Sequence, residues 1–268
     1  MGILNRTPDS FYDGGSMDLG ATVEHGLRMV EEGAEIIDIG AVKAGPGAPV
    51  SSAEEASRLL PVVAALVEQT DVLISIETSS PEVARRAVEA GASIINDVSA
   101  LADPELADAC AELGAALVLM HHGDQLRGRP LNPRYTDVVR AVLDGWEETA
   151  LTAIERGVRS ESLIVDPGLD FGKNTFHSLE LMRRLPELMA TGRPLLIAAS
   201  RKDVVGESLG LPPAERLEGS LALAALAANS GAAMVRAHDV RGTVRVVRMV
   251  EAVNGLRTPV RPVRGLWD

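Results

Sequence analysis

The stretch EEGAEIIDIG, residues 31–40, carries the pattern that decides the fold. It joins the end of a Glu-rich segment with helical spacing to a short β-branched run, and Gly33 lies at the junction. Glycine commonly ends helices because it adopts the left-handed conformation that follows the last turn. The same junction returns as EAGASIINDV at 89–98 and as ELGAALVLMHH at 112–122. A helix–glycine–strand unit is therefore repeated along the chain.

Short β-branched runs alternate with longer Ala-, Leu- and Glu-rich segments from one end of the chain to the other. The predicted strands are 2–5, 35–40, 72–78, 93–98, 116–122, 163–168, 195–200 and 234–240. The predicted helices are 19–32, 52–68, 81–90, 104–113, 136–156, 176–189, 214–230 and 240–254. This alternation predicts an α/β fold, either a doubly wound open sheet or a closed barrel.

Eight strand–helix pairs favour the (β/α)8 TIM barrel, and no G-x-G-x-x-G follows the first strand to favour a dinucleotide fold. No structureless stretch is long enough to divide the chain. We therefore predict a single-domain barrel over residues 1–268, with 257–268 as a peripheral C-terminal tail.

Composition excludes several classes of partner. A net charge of −12 argues against a nucleic-acid surface, which needs clustered cations, and 3% aromatic residues give few platforms for stacking bases. No apolar run reaches the roughly 18 residues of a membrane span. The one cysteine, Cys110, allows no internal disulfide and fits a reducing compartment. We expect a cytoplasmic protein without a membrane or nucleic-acid partner.

Polar residues lie at the C-terminal end of nearly every predicted strand, which is where barrels carry their chemistry. They are Asn5, Asp38, Glu77, Asn96, Asp97, His121, His122, Asp166, Ser200, Arg201, Lys202, Arg236, His238 and Asp239. One such residue alone is best explained as a turn cap or a hydrogen-bonded core group. So many of them at the same end of successive strands favour a site.

These residues also divide by charge. Asn96, Asp166 and Glu77 can accept the N–H donors of a flat heterocycle. Cations follow the last two strands, where many barrels hold an anion, and they include Lys202 and Arg236. A heterocycle at one end and an anion at the other suggest group transfer with a phosphate leaving group.

Read together, the motifs resemble the dihydropteroate synthase family over nearly the whole chain. The segments that carry the resemblance are MGILNRTPDSFYDGG (1–15), ISIET (74–78), IND (95–97), LMHH (119–122), DPGLDFGKN (166–174), SRKDVVGESLG (200–210), RLEGSLA (216–222) and RAHDV (236–240). The resemblance implies that 6-hydroxymethyl-7,8-dihydropterin diphosphate is joined to p-aminobenzoate in folate biosynthesis, with release of diphosphate. It also implies a homodimer.

For the pterin, the resemblance implies that Asp166 holds the 2-amino group and a ring N–H. Asn96 and Lys202 would contact other ring heteroatoms, and Glu77 stands where the family usually has Asp. The extra methylene of Glu77 must fit into the same pocket.

For the leaving group, the resemblance implies that Asn5 helps to hold Mg2+ and the diphosphate. Arg236 and His238 would bind the diphosphate itself, and Asp13 would join a lid over the second substrate. The catalytic set implied in this way is Lys202, Arg236, His238 and Asp13.

The loop GAVKAGPG, residues 40–47, departs from the family's usual Gly-Gly-Glu-Ser-Thr-Arg-Pro-Gly. Ala44 and Gly45 replace the Thr and Arg that help to organise aminobenzoate and diphosphate, and Lys43 lacks the planar fork of arginine. Further departures are Arg6 beside Asn5, and Asp170, which is expected to add negative charge near the pterin pocket.

These departures leave four alternatives. The protein could be an active synthase with relaxed loop contacts, an enzyme that uses another nucleophile, or a non-catalytic pterin binder or assembly partner. The second and third resemble the divergent second synthases of some actinobacteria. The methyltetrahydrofolate–corrinoid methyltransferases share the barrel but have no need for the anion-binding set, so they rank last.

Overall fold

The computed structural model describes residues 1–6, 18–42, 50–123 and 132–264. Its strands are β1 (Gly2–Asn5), β2 (Ile36–Gly40), β3 (Leu73–Glu77), β4 (Ile94–Asp97), β5 (Ala116–Met120), β6 (Leu163–Asp166), β7 (Leu196–Ile197) and β8 (Met234–Val235). Its α-helices are α1 (Leu19–Glu31), α2 (Ser52–Gln69), α3 (Pro81–Glu89), α4 (Glu105–Leu113), α5 (Val138–Glu155), α6 (Thr175–Arg183), α7 (Leu185–Met189), α8 (Asp203–Leu209), α9 (Leu217–Asn229) and α10 (Val240–Val253).

The strands form a closed parallel barrel. β1 to β6 pair in chain order, and β7 pairs with β8. Two single bridges join these groups: Val165 pairs with Leu195, and Gly2 pairs with Ala237. The second junction is held by Ile3 N–H donating to the Ala237 carbonyl at 3.0 Å. The predicted (β/α)8 barrel is confirmed.

Apolar side chains fill the floor of the barrel lumen. They come from the inward positions of the strands and comprise Ile36, Ile94, Val118, Ile164, Leu196 and Ala198. A larger apolar cluster packs between the barrel and its helices, and it contains the buried Cys110. Because successive strand residues face opposite sides, positions two residues beyond the lumen floor face inward again, nearer the C-terminal rim.

The helices differ from the sequence prediction in two places. Predicted helix 176–189 is divided into α6 and α7 at Arg184, because Pro186 in the first turn of α7 cannot continue the ladder of a preceding helix. Helix α8 was not predicted. It is a short helix that ends at Gly210 in the left-handed conformation, and a side chain at Gly206 would overlap the guanidinium of Arg216.

Two further findings concern the periphery. Among the helices in the described ranges, none combines the length and apolarity that crossing a bilayer requires. Residues 257–264 are exposed to solvent, and the rest of the predicted tail, 265–268, lies outside the described residues.

Candidate active site

Polar side chains from alternate strands form the layer above the apolar lumen floor. Each lies two residues beyond an apolar inward residue, so both face the lumen. The pairs are Ile36 with Asp38, Ile94 with Asn96, Ile164 with Asp166 and Met234 with Arg236. Strand register adds Glu77, which is the Cα partner of both Gly40 and Asn96. The barrel therefore brings together predicted site residues that are far apart in the sequence.

Asp38 is the centre of this layer. It has 0% exposure and accepts hydrogen bonds from Ser75 Oγ at 2.5 Å, Asn96 Nδ2 at 3.1 Å and Arg236 Nε at 2.6 Å. Asp38 was predicted to lie near a strand end, but no role was predicted for it. The signal was its interruption of the apolar run IIDIG, two residues beyond an inward-facing Ile36.

Arg236 bridges two carboxylates. Its Nε donates to Asp38, and its Nη2 donates to Glu77 Oε2 at 2.6 Å. Burial alone would lower the pKa of Arg236, but Asp38 and Glu77 together raise it above its ordinary value. Burial raises the pKa of Glu77, and Arg236 opposes that shift. The guanidinium is thus fixed as a cation, and the side chains of Arg236 and Glu77 are partly exposed, at 14% and 12%.

Asp166 and Lys202 form a second charged pair of groups. Asp166 is 4% exposed, and its Oδ1 accepts from Gly168 N–H at 2.7 Å. Burial raises the pKa of Asp166, whereas the nearby Lys202 lowers it. Lys202 Nζ donates to the Leu169 carbonyl at 2.9 Å and lies 4.9 Å from the centre of the Phe171 ring. Burial lowers the pKa of Lys202, and Asp166 opposes this.

Asn96 leaves a buried acceptor without a partner. Its side chain is 2% exposed, Nδ2 donates to Asp38, and Oδ1 accepts no hydrogen bond from the described residues. A buried unpaired carbonyl costs free energy that a ligand N–H would recover. Asn96 Oδ1 and the Asp166 carboxylate are therefore the two buried acceptors that can receive hydrogen bonds from the N–H groups of a heterocyclic ligand.

His238 is a neutral side chain beside this cluster. Its Nδ1 lies 3.1 Å from Ser200 Oγ, which also accepts from the His238 backbone N–H at 3.2 Å. Burial, with Arg236 as the next cause, lowers the pKa of His238 to about 4. The following residue, Asp239, holds the predicted site residue Arg201 through two bonds of 2.9 Å. The Arg201 side chain therefore stabilises the barrel rim through this ion pair.

Asn5 ends β1 at the same edge of the barrel. A side chain built at Gly40 would lie 3.6 Å from Asn5 Oδ1 and 3.8 Å from the Glu77 carboxyl carbon, so both groups border one space. Asp13 and the loop residues 43–49 lie outside the described residues. The described residues contain no group of three His, Cys, Asp or Glu side chains placed for a metal.

A cleft of about 580 Å3 opens beside this cluster. Its lining includes Glu77, Phe171, Glu55, Ser99 and Asp103. Phe171 was not predicted as a site residue. Its place in the loop after β6, beside the buried Lys202, is what brings its ring to the barrel mouth.

Two departures expected to alter the pocket also make structural contacts. Asp170 was expected to add negative charge near the pterin pocket, and its charge does oppose the lowering of the pKa of Lys202. Its Oδ2 also accepts from Val204 N–H at 3.0 Å in the first turn of α8, and its Oδ1 accepts from Ser178 Oγ at 2.9 Å. Arg6 is buried and donates from Nη1 to the Arg58 carbonyl.

The fold and the site together define a barrel protein with a cluster of largely buried polar and charged side chains at its C-terminal rim. A family model described as "Pterin binding enzyme" matches residues 1–238. The chain belongs to that family, and within it the chain is dihydropteroate synthase-like.

Individual relatives are of two kinds. The chain is 49% identical over 275 residues to "Inactive dihydropteroate synthase 2" of Mycobacterium leprae (strain TN), covering 99% of this chain and 94% of that protein. It is 44% identical over 254 residues to "Dihydropteroate synthase" of Escherichia coli (strain K12), covering 94% and 90%. The structure of Xanthomonas albilineans dihydropteroate synthase with 4-aminobenzoic acid superposes with a TM-score of 0.88 at 43% identity, covering 96% of this chain and 93% of that one.

Proposed function

We propose that this protein binds 6-hydroxymethyl-7,8-dihydropterin diphosphate at the barrel mouth and condenses it with p-aminobenzoate to give dihydropteroate. The observation that carries the proposal is the pair of buried acceptors: the Asp166 carboxylate and Asn96 Oδ1, which has no partner among the described residues. A pterin edge presents a 2-amino group and ring N–H donors. A carboxylate accepts two such donors side by side.

Cations close the other side of the proposed pterin position. Lys202 is electrostatically coupled to Asp166 and Arg236 and could donate to a ring heteroatom. Phe171, which already contacts Lys202, offers an apolar face to the ring or to the second substrate. The acceptor and donor sides match a heterocycle that carries both kinds of group.

The diphosphate is assigned to Arg236, His238 and Asn5. Arg236 donates hydrogen bonds from Nε and Nη2 to carboxylates, and within the described residues its Nη1 makes no hydrogen bond. The carboxylates around it oppose a bare anion. Mg2+ suits this arrangement because it usually binds through one or two protein oxygens together with substrate phosphates. Asn5 Oδ1 is such an oxygen, and the metal would neutralise the charge of the departing diphosphate.

The reaction balances without a protein nucleophile. The bond between the exocyclic carbon and oxygen breaks, and diphosphate leaves with the electron pair. The amine nitrogen of p-aminobenzoate then supplies a pair for the new C–N bond and releases a proton. The residues Lys202, Arg236 and His238 stabilise the charge that develops, in a site shielded from water. Asp13, outside the described residues, is assigned to the lid.

A second function is a pterin-binding paralogue without synthase activity. It is favoured by the relatives named "Inactive dihydropteroate synthase 2" and by the two carboxylates that occupy Arg236. Such a protein could use another nucleophile or act as a binding or assembly partner. Both functions place the pterin in the same pocket and differ in the step after binding.

One experiment separates these functions. Purified protein is incubated with the pterin diphosphate and Mg2+, with and without p-aminobenzoate, and released diphosphate is measured. Release that depends on p-aminobenzoate supports the synthase, and pterin binding by calorimetry without release supports the paralogue. If millimolar pterin diphosphate gives neither binding in the calorimeter nor release of diphosphate, both proposed functions are refuted.

We also propose a homodimer in the cytoplasm. Helices α9 and α10 pack together and expose large apolar side chains, including Leu226, Met249 and Val253. Apolar surface of this kind marks protein contacts. The free, buried Cys110 suits a reducing compartment. Light scattering of wild type and of Met249→Glu tests the assembly: a monomeric wild type would contradict it.

A further inference from the structure

The loops that follow β5 and β6 meet around a buried lysine that the proposed chemistry does not use. Lys173 is 3% exposed. Its Nζ lies 2.9 Å from the His121 carbonyl and 3.0 Å from His121 Nδ1 on one loop. On the other loop it lies 3.1 Å from the Gly168 carbonyl and 2.9 Å from the Phe171 carbonyl. One ammonium thus links two loops through four acceptors.

These acceptors suit the charged form of Lys173. An ammonium has three N–H donors and no lone pair, so all its contacts must be acceptors. Burial lowers the pKa of His121 to about 3, with Lys173 as the next cause, so the ring is neutral and Nδ1 can accept. A neutral amine would turn a lone pair towards at least one of these oxygens.

The two loops also approach each other closely through glycines. Gly168 and Gly172 both have positive φ, at 65° and 61°. A side chain at Gly168 would overlap the carbonyl oxygen of His121, and one at Gly172 would overlap that of His122. This approach places backbone carbonyls side by side, and Lys173 supplies a charge that several of them share.

The same loop carries the proposed pterin site. Gly168 N–H donates to Asp166 Oδ1 at 2.7 Å, so the loop begins by orienting the carboxylate. Lys202 donates a hydrogen bond to the carbonyl of the next residue, Leu169, and its ammonium lies over the Phe171 ring. Two lysines therefore hold the four-residue turn 168–171, which begins at the residue bonded to the Asp166 carboxylate and ends at Phe171, whose ring lines the cleft.

We infer that Lys173 is a positioning residue for the pterin site: its ammonium fixes the loop after β6 against the loop after β5, and thereby orients Asp166 and Phe171. The inference rests on the proposed function for its consequence, pterin affinity. Its structural part, the fixing of the loop, stands on the contacts alone.

A pH dependence follows from the surroundings of Lys173. Burial lowers its pKa to about 7, Asp166 and Asp170 oppose this, and Lys202 adds to it. His121 faces it as a neutral ring. As the pH rises through that value, the ammonium loses a proton and one of the carbonyls or His121 Nδ1 loses its donor. Pterin affinity should then decline on the alkaline side.

The test compares wild type with Lys173→Met, Lys173→Arg and the surface control Arg159→Met. Amide hydrogen exchange is measured over residues 119–123 and 166–174, and calorimetry gives the affinity for 6-hydroxymethyl-7,8-dihydropterin between about pH 6 and pH 9. We expect Lys173→Met to exchange faster in both segments and to bind the pterin about 10-fold or more weakly, because buried carbonyls lose their donor. Arg159→Met should match wild type.

Lys173→Arg provides the decisive arm, because a guanidinium stays charged throughout this range. It should bind more weakly at low pH but lack the alkaline decline of wild type. The same decline in both proteins would overturn the inference, as would unchanged exchange in Lys173→Met. If wild type binds no pterin, the proposed function fails, and the exchange data still decide whether Lys173 fixes the loop.

Discussion

Arg236, which directly follows β8, and Asp38, in the middle of β2, form a partly buried ion pair, with Nε 2.6 Å from Oδ2 across 198 positions of the chain. Glu77 holds Nη2 of the same guanidinium at 2.6 Å. Two carboxylates share one cation, so the three ionised groups together are negative. The arrangement stabilises the barrel rim and also opposes an anion at the place proposed for diphosphate.

Glu77→Gln should therefore strengthen the binding of diphosphate. The amide can still accept from Arg236 but carries no charge, so the guanidinium is freer to turn to the ligand. A hydrogen bond to a charged group contributes about 1.5–3 kcal/mol, which predicts an affinity roughly 10-fold higher. Calorimetry with magnesium diphosphate measures it.

The matched control is Glu82→Gln, because Glu82 lines the same cleft but does not contact Arg236. It should leave the affinity near that of wild type. If Glu77→Gln binds diphosphate more weakly than wild type, Glu77 supports the anion site and does not compete with it.

Asp38→Asn should destabilise the protein. Asparagine cannot accept all the buried hydrogen bonds that Asp38 takes from Ser75, Asn96 and Arg236, whereas Glu77 still pairs with Arg236, so we expect a loss of about 1.5–3 kcal/mol. Urea unfolding followed by circular dichroism measures the loss. The control is Asp144→Asn, whose partner Arg140 is 70% exposed, and it should cost less than about 1 kcal/mol. Equal losses would mean that the burial of the pair has no energetic role.

The sequence predicted the barrel and most of the rim because both follow from local patterns. Gly33 ends a helix, Ile36 begins an inward-facing row, and Asp38 breaks that row two residues later. The alternation fixes which end of each strand is polar. It does not reveal that Asp38 has Arg236 as its partner, because that contact depends on closure of the barrel between distant strands.

The remaining features depend on tertiary contacts that local patterns do not carry. Lys173 lies in a glycine-rich segment, where a lysine is ordinarily solvent-exposed, and its burial comes from the approach of a second loop. Asp170 was given a role by position alone, and its carboxylate caps α8, a helix that the sequence did not predict. Pro186 was the one local signal that should have divided helix 176–189.

Asp166→Asn should abolish measurable pterin binding. The amide presents one acceptor oxygen where the carboxylate presents two, and the lost charged hydrogen bonds are worth about 1.5–3 kcal/mol each, which for two is on the order of 100- to 10,000-fold in affinity. Calorimetry with the free pterin gives the value.

Asp170→Asn is the control in the same loop. It should lower the free energy of unfolding by about 1 kcal/mol, because Asp170 caps α8, and should leave pterin affinity largely intact. Similar pterin losses in both variants would argue for a general loop effect.

His238 should make the protein less stable as the pH falls. Burial lowers its pKa to about 4, whereas an unfolded histidine titrates near 6.5, so between these values the unfolded chain takes up a proton that the native state refuses. The contribution of His238 to the free energy of unfolding is therefore fully present above about pH 6.5. It declines by up to about 1.4 kcal/mol per pH unit as the pH falls to about 4. His121, with a pKa of about 3, acts in the same direction.

Burial raises the pKa of Asp166 and Glu77, which acts in the opposite direction, so the informative quantity is the difference between wild type and His238→Gln. Urea unfolding at pH 7, 6, 5 and 4, with His25→Gln on the outer helix α1 as the control, should show a shallower decline for His238→Gln alone. Parallel curves for wild type and His238→Gln would mean that His238 has the same pKa in the native and unfolded states, which would contradict the prediction.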